Sequence, residues 1–214
     1  MRLYLSSFRM GNQSEQLIAL AGGTGSVAVI ANAMDAAPSD IRESGVIREL
    51  EGLQALGFDA EEIDLRDYFL NSESLIEDLR KYDVAWLRGG NCFVLRHALA
   101  QSGADYALVK LLDEDAIVYA GYSAGPCVLS PNLKGFELVD QPEDVQKIYG
   151  QPPTWVGLDV LDYSFVPHFA SPGHPETGHI DEVVEYFKAH QIAYRALKDG
   201  QVLVIDDSKT TLYE

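Results

Sequence analysis

Residues 116–125 read AIVYAGYSAG. The first half is apolar at almost every position and carries β-branched and aromatic side chains, so it reads as a strand buried on both faces rather than one facing water. The second half places Ser123 between Gly121 and Gly125. A serine between glycines directly after a buried strand is the sequence form of a nucleophile elbow, a turn that lifts the hydroxyl off the end of the strand. The glycines are expected because side chains would collide in so tight a turn.

The same pattern recurs on the N-terminal side of this stretch. SVAVIANA (26–33) and DVAWLRGG (83–90) are further continuous apolar runs, RLYLSS (2–7) reads as a first strand, and DAEEIDL (59–65) as a weaker one. Between them lie helical spacings: NQSEQLIALAG (12–22), SESLIEDLRKY (72–82), NCFVLRHALAQSG (91–103) and DYALVKLLDE (105–114). The segment 39–57 keeps apolar residues at Ile41, Val46, Ile47, Leu50, Leu53 and Leu56, with Ser39 as N-cap and Gly57 as stop. Strand and helix alternating at these lengths predict βαβ units, hence an α/β fold with a mostly parallel sheet covered on both faces. Towards the C-terminus a helix is expected near 180–190, and AYRALKDGQVLVIDD (193–207) reads as two strands forming a hairpin around an Asp-Gly turn. The least regular region is 130–163, rich in proline and acid, which predicts a lid or binding loop. At 214 residues, one domain spanning 1–214 is the expectation.

Composition excludes several function classes. Sixteen basic against 33 acidic residues give a formal charge of −17, a field that repels phosphate backbones, so no nucleic-acid partner is expected. No stretch approaches the roughly 20 apolar residues of a membrane span, and MRLYLSSFRMG does not form a signal-peptide core; a cytoplasmic protein is expected. Cys92 and Cys127 make no disulfide framework and lack metal-ligand spacing, so both read as packing thiols; chemistry run by a serine nucleophile calls for neither metal nor cofactor. Gly22-Gly23-Thr24-Gly25 resembles a phosphate loop but precedes a strand, which makes it a plain turn.

A serine hydroxyl needs a base. Of the five histidines, His97 and His190 fall in or at the end of helices and read as surface or capping residues, while His174 and His179 lie in the polar stretch SPGHPETGHI. His168 ends the strand-like run Tyr163–Pro167, and strand ends are where α/β folds place their sites, which makes it the candidate general base. The base needs an acid partner. Asp181, Asp199, Asp206 and Asp207 follow His168, and Glu137 and Asp140 are rivals from the loop after the elbow. On local sequence alone, Asp199 in Lys198-Asp199-Gly200 is an ordinary turn residue. For the oxyanion, the N–H of Ala124 is one expected donor and the Gly89-Gly90-Asn91 segment after DVAWLR a source of the other.

Gly89-Gly90-Asn91, the Gly-Tyr-Ser-Ala-Gly elbow, and Val166-Pro167-His168-Phe169 together resemble the aspartyl dipeptidase and cyanophycinase-like serine peptidases. The resemblance spans most of the chain, in order. It implies a flavodoxin-like three-layer sandwich similar to class I glutamine amidotransferases, with Ser123 as nucleophile, His168 as base, and Gly90 and Ala124 as oxyanion donors. That family's third member sits in an acid-Gly turn near the C-terminus, a place that Asp199 fits, although the aspartyl dipeptidases carry glutamate there. The implied activity is a serine exopeptidase acting on dipeptides or short peptides, a monomer or homodimer whose partner is a small peptide substrate. The arginine with which aspartyl dipeptidases bind an acidic side chain is missing: Ala170 to Ile180 contains no Arg or Lys. An esterase-type hydrolase is the alternative enzyme, although its Ser, acid, His order differs. A non-catalytic amidotransferase-like binding domain is the alternative outside enzymes.

Overall fold

A computed structural model describes the backbone of residues 1–214 and the side chains of all but Glu73. The chain opens with β1 (Arg2–Ser6), α1 (Ser14–Ala21), β2 (Ser26–Ile30), α2 (Ser39–Ala55) and β3 (Asp59–Glu62). It continues with α3 (Leu75–Leu79), β4 (Val84–Leu87), α4 (Cys92–Ser102), α5 (Ala104–Asp113), β5 (Val118–Tyr122) and the short α6 (Ala124–Cys127). It closes with α7 (Glu143–Tyr149), β6 (Ser164–Val166), α8 (Thr177–Ala189), β7 (Tyr194–Ala196), β8 (Val202–Asp206) and β9 (Lys209–Tyr213).

Seven strands form one sheet in the order β3-β2-β4-β5-β1-β8-β9. The five from β3 to β1 run parallel, and β8 and β9 complete the sheet antiparallel. Successive side chains of a strand point to opposite faces. In β1, Leu3 and Leu5 therefore join one core, with helices α4, α5 and α8, while Tyr4 joins the other, with Leu17 of α1 and Leu53 of α2. This is the expected three-layer α/β arrangement, and it explains why β4 and β5, and β2 after Ser26, are apolar throughout. Each such side chain removed from water stabilises the fold by roughly 1.5–3 kcal/mol.

Three expectations are corrected here. The segment around Asp199 is not a hairpin: β7 pairs in parallel with β6 in a separate two-stranded sheet, whereas β8 crosses to β1. The C-terminal hairpin is instead β8–β9. The irregular region also holds a helix, α7, which Pro142 precedes and Gly150 ends in a left-handed conformation. Acidic Glu143 and Asp144 in its first turn, with that Pro and Gly, were the signals for it. Ser39 opens α2 from inside its first turn, the N-cap being Pro38.

The register fixes where function can sit. Leu87 of β4 and Leu5 of β1 both lie opposite Gly121, so the C-terminal ends of β4, β5 and β1 finish side by side. Among the described residues, no helix is long and apolar enough to cross a membrane.

Candidate active site

Ser123 leaves β5 with φ 54° and ψ −112°, a strained conformation for a residue with a side chain. The glycines around it are required by the neighbouring strand. A Cβ on Gly121 would collide with the carbonyl oxygen of Leu87, and one on Gly125 would lie 2.5 Å from the same atom. The elbow is thus wedged against β4, and its backbone is held by the Ser123 N–H donating to the Ser6 carbonyl at 3.3 Å.

His168 is brought to the elbow from the end of β6, outside the seven-stranded sheet. Its Nε2 is 3.0 Å from Ser123 Oγ and its Nδ1 is 2.7 Å from Asp199 Oδ1. With Nδ1 protonated and donating to Asp199, Nε2 is left to accept from the Ser123 hydroxyl. Three of the expected site residues therefore form one hydrogen-bonded chain. The rival acids are placed elsewhere: Glu137 accepts the Gly135 N–H at 2.6 Å, and Asp140 accepts the Cys92 N–H at 2.8 Å at the start of α4. Burial pushes the Asp140 carboxyl up to about 6.

Residues outside the sequence reading hold this chain. Ser7, fully buried just beyond β1, accepts the His168 N–H at 2.8 Å and lies 2.9 Å from Asp199 Oδ1 as donor. Ser171 Oγ accepts the Asp199 N–H at 2.8 Å. His168 itself has φ 60°, and these contacts offset that backbone cost. His174 lies flat on the His168 ring, with centroids 3.6 Å apart and planes 5° apart. Phe8 presents its ring edgewise to both imidazoles. The His168 imidazole is held below the ordinary histidine range, first by burial, then with the nearby His174 adding to the effect; the hydrogen bond to Asp199 opposes both.

The proposed oxyanion donors lie beside the serine. Neither the Gly90 nor the Ala124 N–H has an acceptor among the described residues. Gly90 has φ 150°, and a Cβ there would lie 2.5 Å from the Ala33 carbonyl oxygen, so that position admits only glycine without a shift. The turn is fixed from behind by the Asn91 side chain, which accepts the N–H groups of Phe93 and Val94 and caps α4.

Ser123, His168, Gly89 and Gly90 line a cleft of about 410 Å³, a size suited to a small ligand. Cationic side chains reach it from the sheet face that α2 covers: Arg88 and Arg48, joined by Arg9 from the segment after β1. Carboxylates reach it from the segment before α7, from α7 itself and from the loop before α8: Asp140, Asp144 and Glu176. The cations missing from residues 170–180 are thus supplied by other elements. Beneath the cleft, the buried Glu49 of α2 accepts Tyr122 OH at 2.8 Å and Trp86 Nε1–H at 3.1 Å, and lies 3.4 Å from Arg88 Nε. One carboxylate thereby ties together β4, β5 and the Arg88 charge.

The remaining candidates fall away from the site or are occupied. His97 is buried and stacked on Tyr149 at 4.9 Å, not on the surface as its helical position suggested, because α4 is covered on all sides. His190 caps its own helix through Tyr186 O, and His179 is exposed on α8. Asp206 and Asp207 lie at the far end of β8, where Asp207 pairs with the N-terminus. Cys92 and Cys127 are buried free thiols, and burial raises both well above the usual range. His168, His174 and Asp199 bring ligand atoms within 4.8 Å of one another. Because the two imidazoles are parallel, their in-plane lone pairs do not converge on one point, which is a poor arrangement for a metal.

Comparison with known proteins extends these observations. The profile described as "Peptidase family S51" matches residues 13–213. An uncharacterized peptidase of Listeria monocytogenes is 29% identical over 119 residues, 56% of this chain and 55% of that protein. Peptidase E of Streptomyces coelicolor is 27% identical over 154 residues, 70% of this chain and 59% of that protein. The matched stretches thus span little more than half the length of these curated relatives. A crystal structure of a Listeria monocytogenes EGD-e protein of the peptidase E type superposes with a TM-score of 0.80 at 21% identity, covering 99% of this chain and 97% of that one. A peptidase from an acI-B1 actinobacterium superposes with a TM-score of 0.70 at 16% identity, covering 99% and 86%. At these identities the structural likeness speaks for the fold.

Proposed function

The chain belongs to peptidase family S51, and from that premise we propose that it is a serine exopeptidase that hydrolyses dipeptides or short peptides, with residues 1–214 acting as one domain. The observation that carries this reading is the continuous hydrogen-bonded chain from Ser123 through His168 to Asp199, set at the rim of the cleft beside the unpaired N–H groups of Gly90 and Ala124.

In this reading Ser123 Oγ attacks the scissile carbonyl carbon while its proton passes to His168 Nε2. Asp199 stabilises the imidazolium and holds the tautomer. The N–H groups of Gly90 and Ala124 stabilise the oxyanion. The C–N bond then breaks as His168 returns the proton to the leaving amine, and an acyl-enzyme remains. Water, deprotonated by His168, attacks the ester carbon and releases the acid and the serine.

The polarity of the cleft supports a short substrate with free ends. A dipeptide carries an ammonium and a carboxylate only a few bonds apart, and the cleft offers carboxylates from the α7 side and guanidinium groups from the α2 side. Glu176 has neither ion-pair nor hydrogen-bond partner for its carboxylate among the described residues. A charged end left unpaired in the cleft would be costly to desolvate, which selects for complementarity.

The test is a fluorophosphonate label followed by a dipeptide panel. Wild-type protein should label on Ser123 and cleave free dipeptides faster than their N-acetyl derivatives. Ser123→Ala should neither label nor turn over, with a loss of roughly 10³-fold or more. Turnover retained by Ser123→Ala sinks the mechanism, and equal cleavage of blocked peptides sinks the exopeptidase reading.

A further inference from the structure

The His168–His174 stack has a consequence for how the base is held. Two hydrogen bonds grip His168, one at each ring nitrogen: Nδ1 with Asp199 at 2.7 Å and Nε2 with Ser123 at 3.0 Å. The N–H and the lone pair of an imidazole both point along the ring plane. Together the two hydrogen bonds fix its position along the line joining the nitrogens, yet they oppose tilting about that line only weakly, since hydrogen bonds tolerate tens of degrees of bending. A flat group against the face opposes that tilt directly. His174 is such a group, 3.6 Å away and within 5° of parallel.

His174 is itself held. Its own N–H donates to the Ser171 carbonyl at 3.0 Å, and its Nδ1 accepts the Glu176 N–H at 3.3 Å. Thr177 Oγ1, 2.6 Å from the Ser171 carbonyl and 3.2 Å from that of His168, closes the loop back onto the base. Phe8 abuts both imidazoles edgewise, at 5.8 Å from His168 and 5.4 Å from His174. The stack is therefore a supported plate and not a loose surface ring.

We propose that His174 is a positioning residue, whose ring fixes the plane of the His168 imidazole and closes that face to water. This rests on the reading of His168 as general base. The role belongs to the flat ring and not to the acid–base chemistry of His174: with Nδ1 engaged as acceptor, its neutral form carries the proton on Nε2. The groups that face His168 are Ser123 from the elbow, Asp199 from the turn before β8, His174 and Glu176 from the loop before α8, and the uncharged Phe8 from after β1. Removing the plate leaves the Asp199 hydrogen bond in place but readmits water to the face. Protonated His168 then becomes easier to form.

The experiment compares His174→Phe, which keeps a flat ring, with His174→Ala, which does not. His174→Ala should lose about 10-fold in kcat, as expected for a misaligned general base. Its His168 titration, followed by NMR of the imidazole, should move to higher pH than in the wild type. His174→Phe should retain kcat within roughly threefold and hold its midpoint below that of His174→Ala, because the ring still excludes water although the charge by which His174 also lowers the His168 pKa is gone. If His174→Ala unfolds, His174→Gln, which has an acceptor but no ring, takes its place. Unchanged kcat and midpoint in the ringless variant overturn the proposal. So does equal impairment of the Phe and Ala variants, which would assign the role to the imidazole nitrogens. The NMR midpoint needs no turnover, so its result is separate from whether Ser123 proves to be the nucleophile.

Discussion

The elbow at 121–125 and the turn at 198–200 contribute to one hydrogen-bonded chain, yet they are specified in opposite ways. The elbow carries its own instructions: a buried strand, two glycines that β4 forces to be glycine, and a serine in a strained backbone between them. The Lys198-Asp199-Gly200 turn carries almost none. Asp199 is aimed by residues far away in sequence, with Ser171 Oγ receiving its N–H, Ser7 Oγ meeting its carboxylate, and His168 Nδ1 completing the set. One end of the site is announced by its own residues, although β4 is what makes the glycines necessary. The other is tertiary contact.

The largest expected effect tests the contact end. Asp199→Asn keeps size and shape but can present an N–H to Nδ1, which favours the wrong histidine tautomer. A loss of about 10⁴-fold in kcat is expected, by analogy with other triads. Steady-state kinetics on the best dipeptide decide it. A loss below about tenfold would mean that Asp199 is a turn residue after all, and that the comparison has only one catalytic end.

The next test is aimed at the local end. Gly125→Ala places a Cβ 2.5 Å from the Leu87 carbonyl, so either β4 or the elbow must move. Backbone overpacking of this kind costs about 1–3 kcal/mol, which for a chain of this size lowers Tm by roughly 2–12 °C. A displacement of the serine by even 1 Å costs about 10²-fold in activity. Thermal melts and kcat measured together should both fall. A normal Tm with normal kcat would show that the glycine pattern is not needed, and that the elbow is less locally determined than its sequence suggests.

That difference also explains which parts of the molecule were legible in the sequence. The parallel strands were, because burial on both faces leaves an uninterrupted apolar run. So was the placing of Ser123 and, less directly, of His168 at the ends of strands, because a strand end is recognisable. The pairing of β8 with β1 rather than β7 was not. An Asp-Gly between two apolar runs has the same local chemistry whether the strands fold back on each other or diverge into different sheets. Ser7 and His174 were invisible for the same reason: a serine after a strand and a histidine in a polar loop acquire meaning only from what folds against them. Helix α7 is a different case, since its Pro, acidic first turn and terminal Gly were all present, and the richness of 130–163 in loop-forming residues obscured them.

Ser7 offers a finer probe of the contact end. Ser7→Ala removes a hydroxyl that meets both the His168 N–H and the Asp199 carboxylate. Hydrogen bonds to charged groups are worth about 1.5–3 kcal/mol. Since Ser171 and the His168 ring still hold Asp199, only part of that should appear in the rate, giving about a tenfold fall in kcat. Ser7→Thr, which restores a hydroxyl, should recover part of it. No fall in Ser7→Ala would leave Asp199 aimed by the Ser171 side alone.

The smallest effect sets the two ends against each other in one titration. In the proposed mechanism His168 must be neutral to accept the serine proton, so kcat/KM should fall on the acid side as His168 becomes protonated. The contact end favours the cation, through the hydrogen bond to Asp199 and its charge; burial and the neighbouring His174 disfavour it, and burial is the largest influence. The balance lowers the pKa, so the neutral base persists to more acidic pH than a free histidine would allow. The acid limb should therefore have its midpoint below about 6.5, and activity should be nearly flat from there to pH 8. Asp140, pushed up to about 6 near the cleft, is a second group that titrates in this range. Asp140→Asn separates the two, because the His168 limb remains when that carboxyl is gone. Profiles of kcat/KM from pH 4.5 to 8 in both proteins make the measurement. A midpoint above about 7 in both would show that the charge of Asp199 outweighs burial, and that the contact end rather than the enclosed surroundings of the elbow sets the basicity of the site.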